Sequence, residues 1–248
     1  VSAARDGDTY RVRGAKTMIT HARHADPIAV LVVTDPAAQP RHHGMSVLMV
    51  EAATPGYTVS RDISKLGHRG VELCELSFDD ARVPAGNLLG GVAGMGFRQM
   101  MSALDRGRVY MAAASVGIAR ASYEAAARHA HEREAFGSPI ADFQAVKLRI
   151  AAMTTRITAA RLLTLDAARQ VETRGRANSA AAMAKVFASE AAIDCSLDAM
   201  RILGGYGYTT EFPVERYFRD APVMAIGEGA NDILQLLIAD ESLKRREV

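Results

Sequence analysis

The sequence predicts an α+β protein in which a small antiparallel β-domain, a partial barrel, precedes an all-α antiparallel four-helix-bundle domain. The prediction depends on a change of composition near residue 90 of the 248-residue chain. Before it, short β-branched runs alternate with turn residues. After it, alanine and methionine are frequent and apolar residues recur at helical spacing. We therefore expect a β-domain at residues 1–91 and a helical domain at residues 92–248.

Four runs in the first part have the pattern of strands. Thr9–Arg13 alternates as a half-buried strand does, and Leu73–Phe78 is a further strand that Asp79-Asp80 ends. Ile28–Thr34 and Met45–Val50 are apolar enough to be buried strands. Turn residues separate these runs, which favours a small antiparallel sheet.

Apolar residues of the second part recur at steps of three and four, which is typical of helices with one buried face. The helices are predicted at about 101–134, 146–157, 183–200 and 231–246. Asn178-Ser179 offers N-cap acceptors for the third helix. Short loops that contain glycine indicate that neighbouring helices are antiparallel.

Charge and cysteine content exclude several classes of protein. Thirty Lys and Arg against 28 Asp and Glu give a net charge of +2 without a basic block, so we expect no nucleic-acid binding. Cys74 and Cys195 are far apart, which argues against a disulfide framework or a metal site and fits a cytoplasmic protein. No apolar run approaches the roughly 20 residues of a membrane span. A start at Val1, without methionine or a signal core, suggests a piece of a longer protein.

Two charged segments of the helical part are candidates for binding. Asp105 and Arg108 lie within one predicted helix, where a solvated charged face is the usual interpretation. Arg133 and Phe136, followed by Gln144, lie where a helix end with a glycine and a proline-bearing turn is the alternative. The residue types alone leave both interpretations open.

A glycine-rich segment follows the third helix. Three glycines within four residues, Gly204, Gly205 and Gly207, permit the backbone to approach a pyrophosphate or an adenine closely. They serve a tight helix-terminating turn equally well, and by itself the segment favours the turn. It follows a helix and not a strand, so it is not a Rossmann fingerprint.

One carboxylate, Glu228, stands between two glycines just before the last helix. The glycines leave room for a ligand beside it, and the apolar run Val223–Ile226 is expected to raise its proton affinity by desolvation. That combination suits a general base that acts on carbon. An acidic residue favoured by the helix dipole is the alternative, and it is the commoner explanation for an isolated glutamate at a helix start.

Taken together and in order, these segments resemble the acyl-CoA dehydrogenase family, over its middle β-domain and its C-terminal helical domain. In the β part, Gly14–Thr20 is similar to the family's G-x-K-x-W-I-T segment, Lys65–Gly70 to K-x-G-x-R-x, and Phe78–Pro84 to its exit from the β-domain. The helical part carries the R-x-x-F-G…Q motif, the second glycine-rich motif and the catalytic E-G pair at Arg133, Phe136-Gly137, Gln144, Gly204–Tyr208 and Glu228-Gly229.

The resemblance implies the chemistry of the site. Glu228 is then the base that removes the α-proton of an acyl-CoA thioester, while the β-hydrogen leaves as hydride to flavin N5 and trans-2-enoyl-CoA forms. Asp105, Arg108 and Gly229 are implied as substrate-binding residues. In this family the thioester oxygen accepts hydrogen bonds from a ribityl hydroxyl of the flavin and from the backbone N–H of the base.

FAD is the cofactor that the resemblance implies. Arg133 is expected to contact the pyrophosphate of the FAD that a neighbouring subunit binds. The resemblance therefore also implies a homo-oligomer, a tetramer or a dimer. An electron-transferring flavoprotein is the expected electron acceptor. The implied FAD-binding residues are Met18, Ile19, Thr20, Arg133, Phe136, Gln144, Arg201, Gly204, Gly205, Ala230 and Asp232.

Departures from the family pattern carry further expectations. Met18 replaces an aromatic residue that lies against the flavin, so that face is expected to be less rigid. Gly227 replaces a tyrosine beside the base, which predicts room for a bulkier, branched or substituted acyl group. One branch of the family places its base immediately before Arg108, where this chain has Gly107. The family's N-terminal helical domain has no counterpart in the chain. The alternatives are an acyl-CoA oxidase and a non-catalytic helical oligomer without flavin.

Overall fold

The computed structural model describes residues 1–175 and 177–244. The chain forms two compact units, Val1–Ala103 and Leu104–Val248. The division between them falls inside the first long helix, whereas the sequence predicts a domain boundary at residue 91.

The first unit is a six-stranded sheet that curls into a half-barrel, as predicted. Its strands are β1 (Ser2–Asp6), β2 (Thr9–Thr20), β3 (Ile28–Val33), β4 (Met45–Val50), β5 (Tyr57–Asp62) and β6 (Leu73–Pro84). They lie in the order β4-β3-β1-β2-β6-β5. All neighbours are antiparallel except β1 and β3, which pair in parallel at Ser2 and Val33. Alternate residues of the strands, among them Val12, Val30 and Leu76, fill one apolar core.

All four predicted strands are present, but two further strands were missed and one prediction of a strand end was wrong. β1 and β5 are short and mostly exposed, so they lack the apolar alternation that marks a strand. β6 continues through Asp79-Asp80 to Pro84. The pairing with β2 shifts register here, and Asp80 takes a positive φ of 52°. Arg11 and Arg13 of β2 donate to its carboxylate at 2.5 and 2.6 Å, so the acidic pair is held inside the sheet.

The second part of the chain is helical. Its elements are α1 (Gly96–Glu132), β7 (Glu134–Ala135), β8 (Ser138–Pro139), α2 (Gln144–Arg174), α3 (Asn178–Leu203), α4 (Val214–Asp220), α5 (Pro222–Ile226) and α6 (Asn231–Lys244). The four predicted helices are α1, α2, α3 and α6, and the predicted end of the last one, at Arg246, lies outside the described residues. The predicted N-cap of α3 was wrong, because Ala177 occupies that position without a side-chain cap and Asn178 already belongs to the helix.

Buried residues at seven-residue spacing, most of them alanine, line the inside of the bundle. Buried positions are 112, 119 and 126 on α1, all alanine, and Met153, Ala160 and Ala167 on α2. α3 adds Ala181, Ala188 and Cys195. A repeat of seven keeps one stripe of each helix facing its neighbours, and small side chains let the helix axes approach closely. Within the described residues, no helix combines the length and the hydropathy that a membrane span needs.

Candidate active site

Glu228 lies in a strained turn between α5 and α6. The α5 helix ends at Ile226, and the N–H of the following Gly227 donates to the Val223 carbonyl at 2.8 Å. Glu228 then takes a φ of 55° and Gly229 a φ of 99°. A left-handed conformation costs glycine little, but for a glutamate it persists only where the surroundings hold it. Such strain is concentrated at functional sites, so the turn itself marks Glu228 as a candidate.

The Glu228 carboxylate lies over Gly107 of α1. A Cβ atom on Gly107 would stand 2.6 Å from Oε2 of Glu228 and 3.0 Å from its Cδ. Gly107 is also the position at which one branch of the resembled family carries its base. The two positions at which the resemblance implies a base are therefore adjacent in the structure, and residue 107 has no side chain that would displace the Glu228 carboxylate.

Arg108 and Asp105 are buried beside this turn, so the solvated-face interpretation was wrong for both. Their side chains are 7% and 1% exposed. Arg108 Nη1 donates to Asn178 Oδ1 at 2.8 Å and to Asp105 Oδ1 at 3.3 Å, and its Nε reaches the Glu228 carbonyl at 3.5 Å. Asn178 is therefore engaged with Arg108, which explains why it does not cap α3. Only Arg106, between them, faces solvent.

Sequence reasoning missed Lys185, a fully buried lysine of α3. Its Nζ donates to the Gly229 carbonyl and to Asn231 Oδ1, both at 2.9 Å. Desolvation, reinforced by the positive charge of Arg108, lowers the pKa of Lys185 to about 8, while Glu190 and Glu228 act in the opposite direction. The sequence feature that could have identified Lys185 is its position as a charged residue inside the alanine-rich run that begins α3.

The expected desolvation of Glu228 by Val223–Ile226 was wrong. Val223 and Ile226 are 39% and 67% exposed, and only Met224 of this run is buried. Glu228 itself is exposed in the chain as described. The α5 helix is too short to cover the turn, because it turns Met224 into the core and leaves its other apolar side chains outside.

Ala230 and Asp232, both predicted FAD contacts, begin α6 directly after this turn. The Ala230 carbonyl accepts from the N–H groups of Ile233 and Leu234 at 3.0 and 3.1 Å. Asp232 lies exposed in the first turn of the helix. Both residues therefore share the end of the bundle that holds Glu228.

Arg133, Phe136 and Gln144 lie at a hairpin between α1 and α2, where the sequence indicated a helix end with a turn. Strands β7 and β8 enclose Phe136 and Gly137, whose φ values are 51° and 84°. Two consecutive positive φ values define a type I′ turn, which normally takes asparagine or glycine. Phe136 is fully exposed there, and Arg133 and Gln144 are exposed on either side. An exposed aromatic residue in a strained turn is unexplained by folding alone.

Two of the three glycines after α3 have a structural reason. Gly207 is buried, and a Cβ there would stand 2.5 Å from the Met200 carbonyl oxygen, so packing requires it. Gly204 has a φ of 61° and a ψ of −131°, a conformation for glycine. Gly205 has neither constraint, since its φ is ordinary and a Cβ there would meet nothing within 4 Å. The turn interpretation therefore accounts for Gly204 and Gly207 but leaves Gly205 unexplained.

The glycine turn lies at the end of the bundle where α1 stops. The His129 ring is 6.1 Å from that of Tyr206. Arg201 is exposed nearby on α3 and donates to Asp198 at 3.4 Å. Gly107 and His129 belong to one helix and are about 33 Å apart at about 1.5 Å per residue. The predicted adenine-side residues and the Glu228 turn thus occupy opposite ends of the same unit.

Met18, Ile19 and Thr20 lie at a bulge near the end of β2. The register with β6 passes from Lys16 opposite Leu76 to Ile19 opposite Cys74, so two residues of β2 face one of β6. Met18 has a φ of 60° and is exposed, Ile19 packs against the core, and Thr20 is exposed again. Bulges re-aim side chains and are frequent beside functional sites.

A half-barrel that leads into a helical bundle of this kind defines a class of flavin-dependent oxidoreductases. The chain belongs to the acyl-CoA dehydrogenase family. The family's middle domain matches residues 1–81 and its C-terminal domain matches residues 94–243. Members of the family are FAD flavoproteins.

Three known proteins illustrate the similarity. The mitochondrial short-chain specific acyl-CoA dehydrogenase of Rattus norvegicus is 40% identical over 98% of this chain and 58% of its own length. Cyclohexane-1-carbonyl-CoA dehydrogenase of Geobacter metallireducens is 40% identical over 98% of this chain and 63% of its own length. The structure of butyryl-CoA dehydrogenase from Megasphaera elsdenii superposes with a TM-score of 0.92, at 37% identity over 97% of this chain and 62% of the other. The chain thus spans about three-fifths of these proteins.

Proposed function

We propose that the protein to which this chain belongs is an FAD-dependent acyl-CoA dehydrogenase that forms a trans-2-enoyl-CoA, with Glu228 as the acceptor of the α-proton. The observation that carries the proposal is the Glu228 carboxylate, held in a left-handed turn over a helix glycine that leaves space for it. A base must stand within hydrogen-bond reach of the proton that it removes, and a fixed turn provides such positioning. Glycines on both sides of Glu228 keep the approach to the carboxylate open.

The residues around Glu228 support the same role. The buried Arg108 donates to the Glu228 carbonyl, and Asp105 is its counter-ion, so residues 105–108 of α1 and the base turn form one polar assembly. Arg108, Asp105 and Gly229 are the residues proposed to contact the acyl-CoA. Because the chain leaves Glu228 exposed, we infer that bound substrate and cofactor exclude the water around it.

The residues proposed to hold FAD are chemically suited to it. Gly205 has open space above it and no folding requirement, as expected where a ligand approaches the backbone. Arg133 and Arg201 are exposed cations at the end of the bundle that holds the glycine turn, and their guanidinium groups are suited to a pyrophosphate. Phe136 and Gln144 offer a ring and an amide for the adenine. When bound, FAD supplies the hydride acceptor. Met18–Thr20, Gly204, Ala230 and Asp232 complete the proposed set.

The distance between the Glu228 turn and the FAD-binding residues proposed at the other end of the bundle favours a homo-oligomer, a dimer or a tetramer. About 33 Å of helix lies between Gly107 and His129, so the base turn and the residues proposed for the adenine side of FAD are far apart within one chain. Arg133 and Phe136 of one subunit would therefore serve a flavin of its neighbour. Exposed leucines on α2, among them Leu148 and Leu162, offer apolar surface for such an association. An electron-transferring flavoprotein is the proposed acceptor, and the cytoplasm the proposed location.

The proposed acyl group is branched or ring-bearing. Gly227 removes a side chain beside the base, and the atom nearest to its vacant Cβ position is the terminal methyl of Met111, at 3.2 Å. Methionine is flexible, so this wall of the site adapts to bulk at the acyl carbon chain. A relative named for cyclohexane-1-carbonyl-CoA is 40% identical to this chain, which is consistent with a ring.

The proposal is tested by expressing the complete protein that carries this chain and measuring flavin content, followed by turnover of an acyl-CoA series with an artificial electron acceptor. We expect bound FAD and oxidation of branched or cyclic acyl-CoAs. A colourless protein that FAD does not reconstitute would contradict the proposal and favour a non-catalytic helical oligomer. Turnover that needs only oxygen, with hydrogen peroxide formed, would assign an acyl-CoA oxidase instead.

A further inference from the structure

The Glu228 turn is held from beneath by a buried cation. Lys185 is fully buried, although lysine is among the residues least often found inside a protein. A buried ammonium is costly unless its N–H groups are paired. Both recorded acceptors, the Gly229 carbonyl and Asn231 Oδ1, belong to the segment that carries Glu228 into α6.

Asn231 extends this contact into a buried network. Its Nδ2 donates to Glu190 Oε1 at 2.7 Å and to Ser189 Oγ at 3.0 Å. The Asn231 amide is thereby fixed on both sides, with its oxygen turned towards Lys185. The network ties the start of α6 to the middle of α3, and the strained pair Glu228-Gly229 leads directly into it.

We propose that Lys185 is a positioning residue for catalysis, which fixes the left-handed Glu228–Gly229 turn by holding the Gly229 carbonyl and the Asn231 side chain. The inference rests on the proposed role of Glu228 as the base. Hydrogen bonds from a charged donor are about twice as strong as those from a neutral one, so the ammonium suits a turn that must be held against backbone strain. Lys185 does not touch the substrate in this account and acts only through the turn.

Charged groups on three elements act on the Lys185 ammonium. Arg108 of α1 repels it, while Glu190 of its own helix and Glu228 of the turn attract it. The α6 helix presents the neutral amide of Asn231, and α5 contains no titratable side chain. Loss of the Lys185 proton near pH 8 weakens both hydrogen bonds and lets the turn relax. We therefore expect the turnover rate to fall as the pH rises through this value.

Lys185→Met tests the inference in the flavin-loaded full-length protein, because methionine keeps the length of the side chain and removes its donors. Hydrogen exchange of residues 227–232 should become about tenfold faster or more. Anaerobic flavin reduction by substrate should slow by about tenfold or more, with flavin content and KM nearly unchanged. Lys147→Met, an exposed lysine on α2, is the matched control and should change neither. Unchanged exchange and unchanged flavin reduction in Lys185→Met would overturn the inference.

A second variant keeps the test decisive if Lys185→Met does not fold. Glu190 is exposed, and Glu190→Gln removes a negative charge that stabilises the Lys185 ammonium. The glutamine keeps an oxygen that accepts a hydrogen bond from Asn231. The alkaline fall of turnover should move to lower pH in this variant, and an unmoved profile would contradict the inference. Absence of any acyl-CoA oxidation by the wild type would instead refute the proposed function, whereas hydrogen exchange would still decide whether Lys185 holds the turn.

Discussion

The Oε2 atom of Glu228 lies 2.6 Å from the point at which a Cβ on Gly107 would stand. The clash that a side chain there would cause is with the end of a flexible carboxylate and not with backbone. A methyl group at residue 107 should therefore displace the carboxylate while the helix stays intact.

Gly107→Ala is predicted to raise the stability of the protein and to lower its turnover rate. Alanine in a helix interior is about 1 kcal/mol more favourable than glycine. A displacement of the base by about 1 Å lowers turnover by about a hundredfold. Gly117→Ala is the control, because it lies on the same helix with nothing within 4 Å of its Cβ position. Melting temperature and kcat should both rise or hold in the control, and equal kcat in the two variants would contradict the account.

The glycine turn separates folding from cofactor binding. Gly205→Ala should leave the melting temperature unchanged and lower the FAD content, because its Cβ enters open space that the account assigns to the cofactor. Gly207→Ala should cost about 1–3 kcal/mol of unfolding free energy, since its Cβ meets the Met200 carbonyl. Thermal unfolding and flavin absorbance measure the two effects. Full FAD occupancy in Gly205→Ala would contradict the proposal that FAD approaches the backbone at Gly205.

Gly227→Tyr is predicted to change substrate preference. A side chain at this position meets Met111 at once, so the ring must take space from the acyl group. We expect kcat/KM for branched acyl-CoAs to fall by about tenfold or more relative to straight-chain ones. The double variant Gly227→Tyr with Met111→Ala should recover part of the loss. Equal activity of wild type and Gly227→Tyr on branched substrates would argue against the assignment.

Lys185 also predicts a pH dependence of stability. Its pKa is about 8 in the folded chain and 10.5 in the reference state, so between these values the unfolded chain binds the additional proton. The contribution of Lys185 to the unfolding free energy therefore rises with pH over this window. In urea titrations, the unfolding free energy of the wild type relative to that of Lys185→Met should therefore rise from pH 8 to pH 10.5. A constant difference would show that Lys185 titrates normally.

The architecture followed from the sequence because local pattern decides it. Four strands and four helices have strong apolar periodicity, and all are present. The exposed strands β1 and β5 carry no such signal, because most of their side chains face solvent and neither strand has a full apolar face. The course of β6 through Asp79-Asp80 depends on two arginines of another strand, which no local pattern reveals.

The candidate site was accessible to sequence reasoning only as a set of residue types. Glu228, Arg108 and Gly204 were selected from motifs, but the burial of Arg108 depends on partners some 70 to 120 residues away. Lys185 was missed for the same reason, because its acceptors lie in a turn more than 40 residues further on. The expected apolar cover of Glu228 failed because five residues of α5 cannot bury all their side chains on one face.

The most direct test of the central claim is the rate of anaerobic flavin reduction by an acyl-CoA in Glu228→Gln. The amide cannot accept the α-proton, so the rate should fall by about a thousandfold, within the range of general-base catalysis. FAD content and acyl-CoA binding should stay at the wild-type level, as they should in the control Glu172→Gln, an exposed glutamate of α2. Flavin reduction in Glu228→Gln at the wild-type rate would contradict the account.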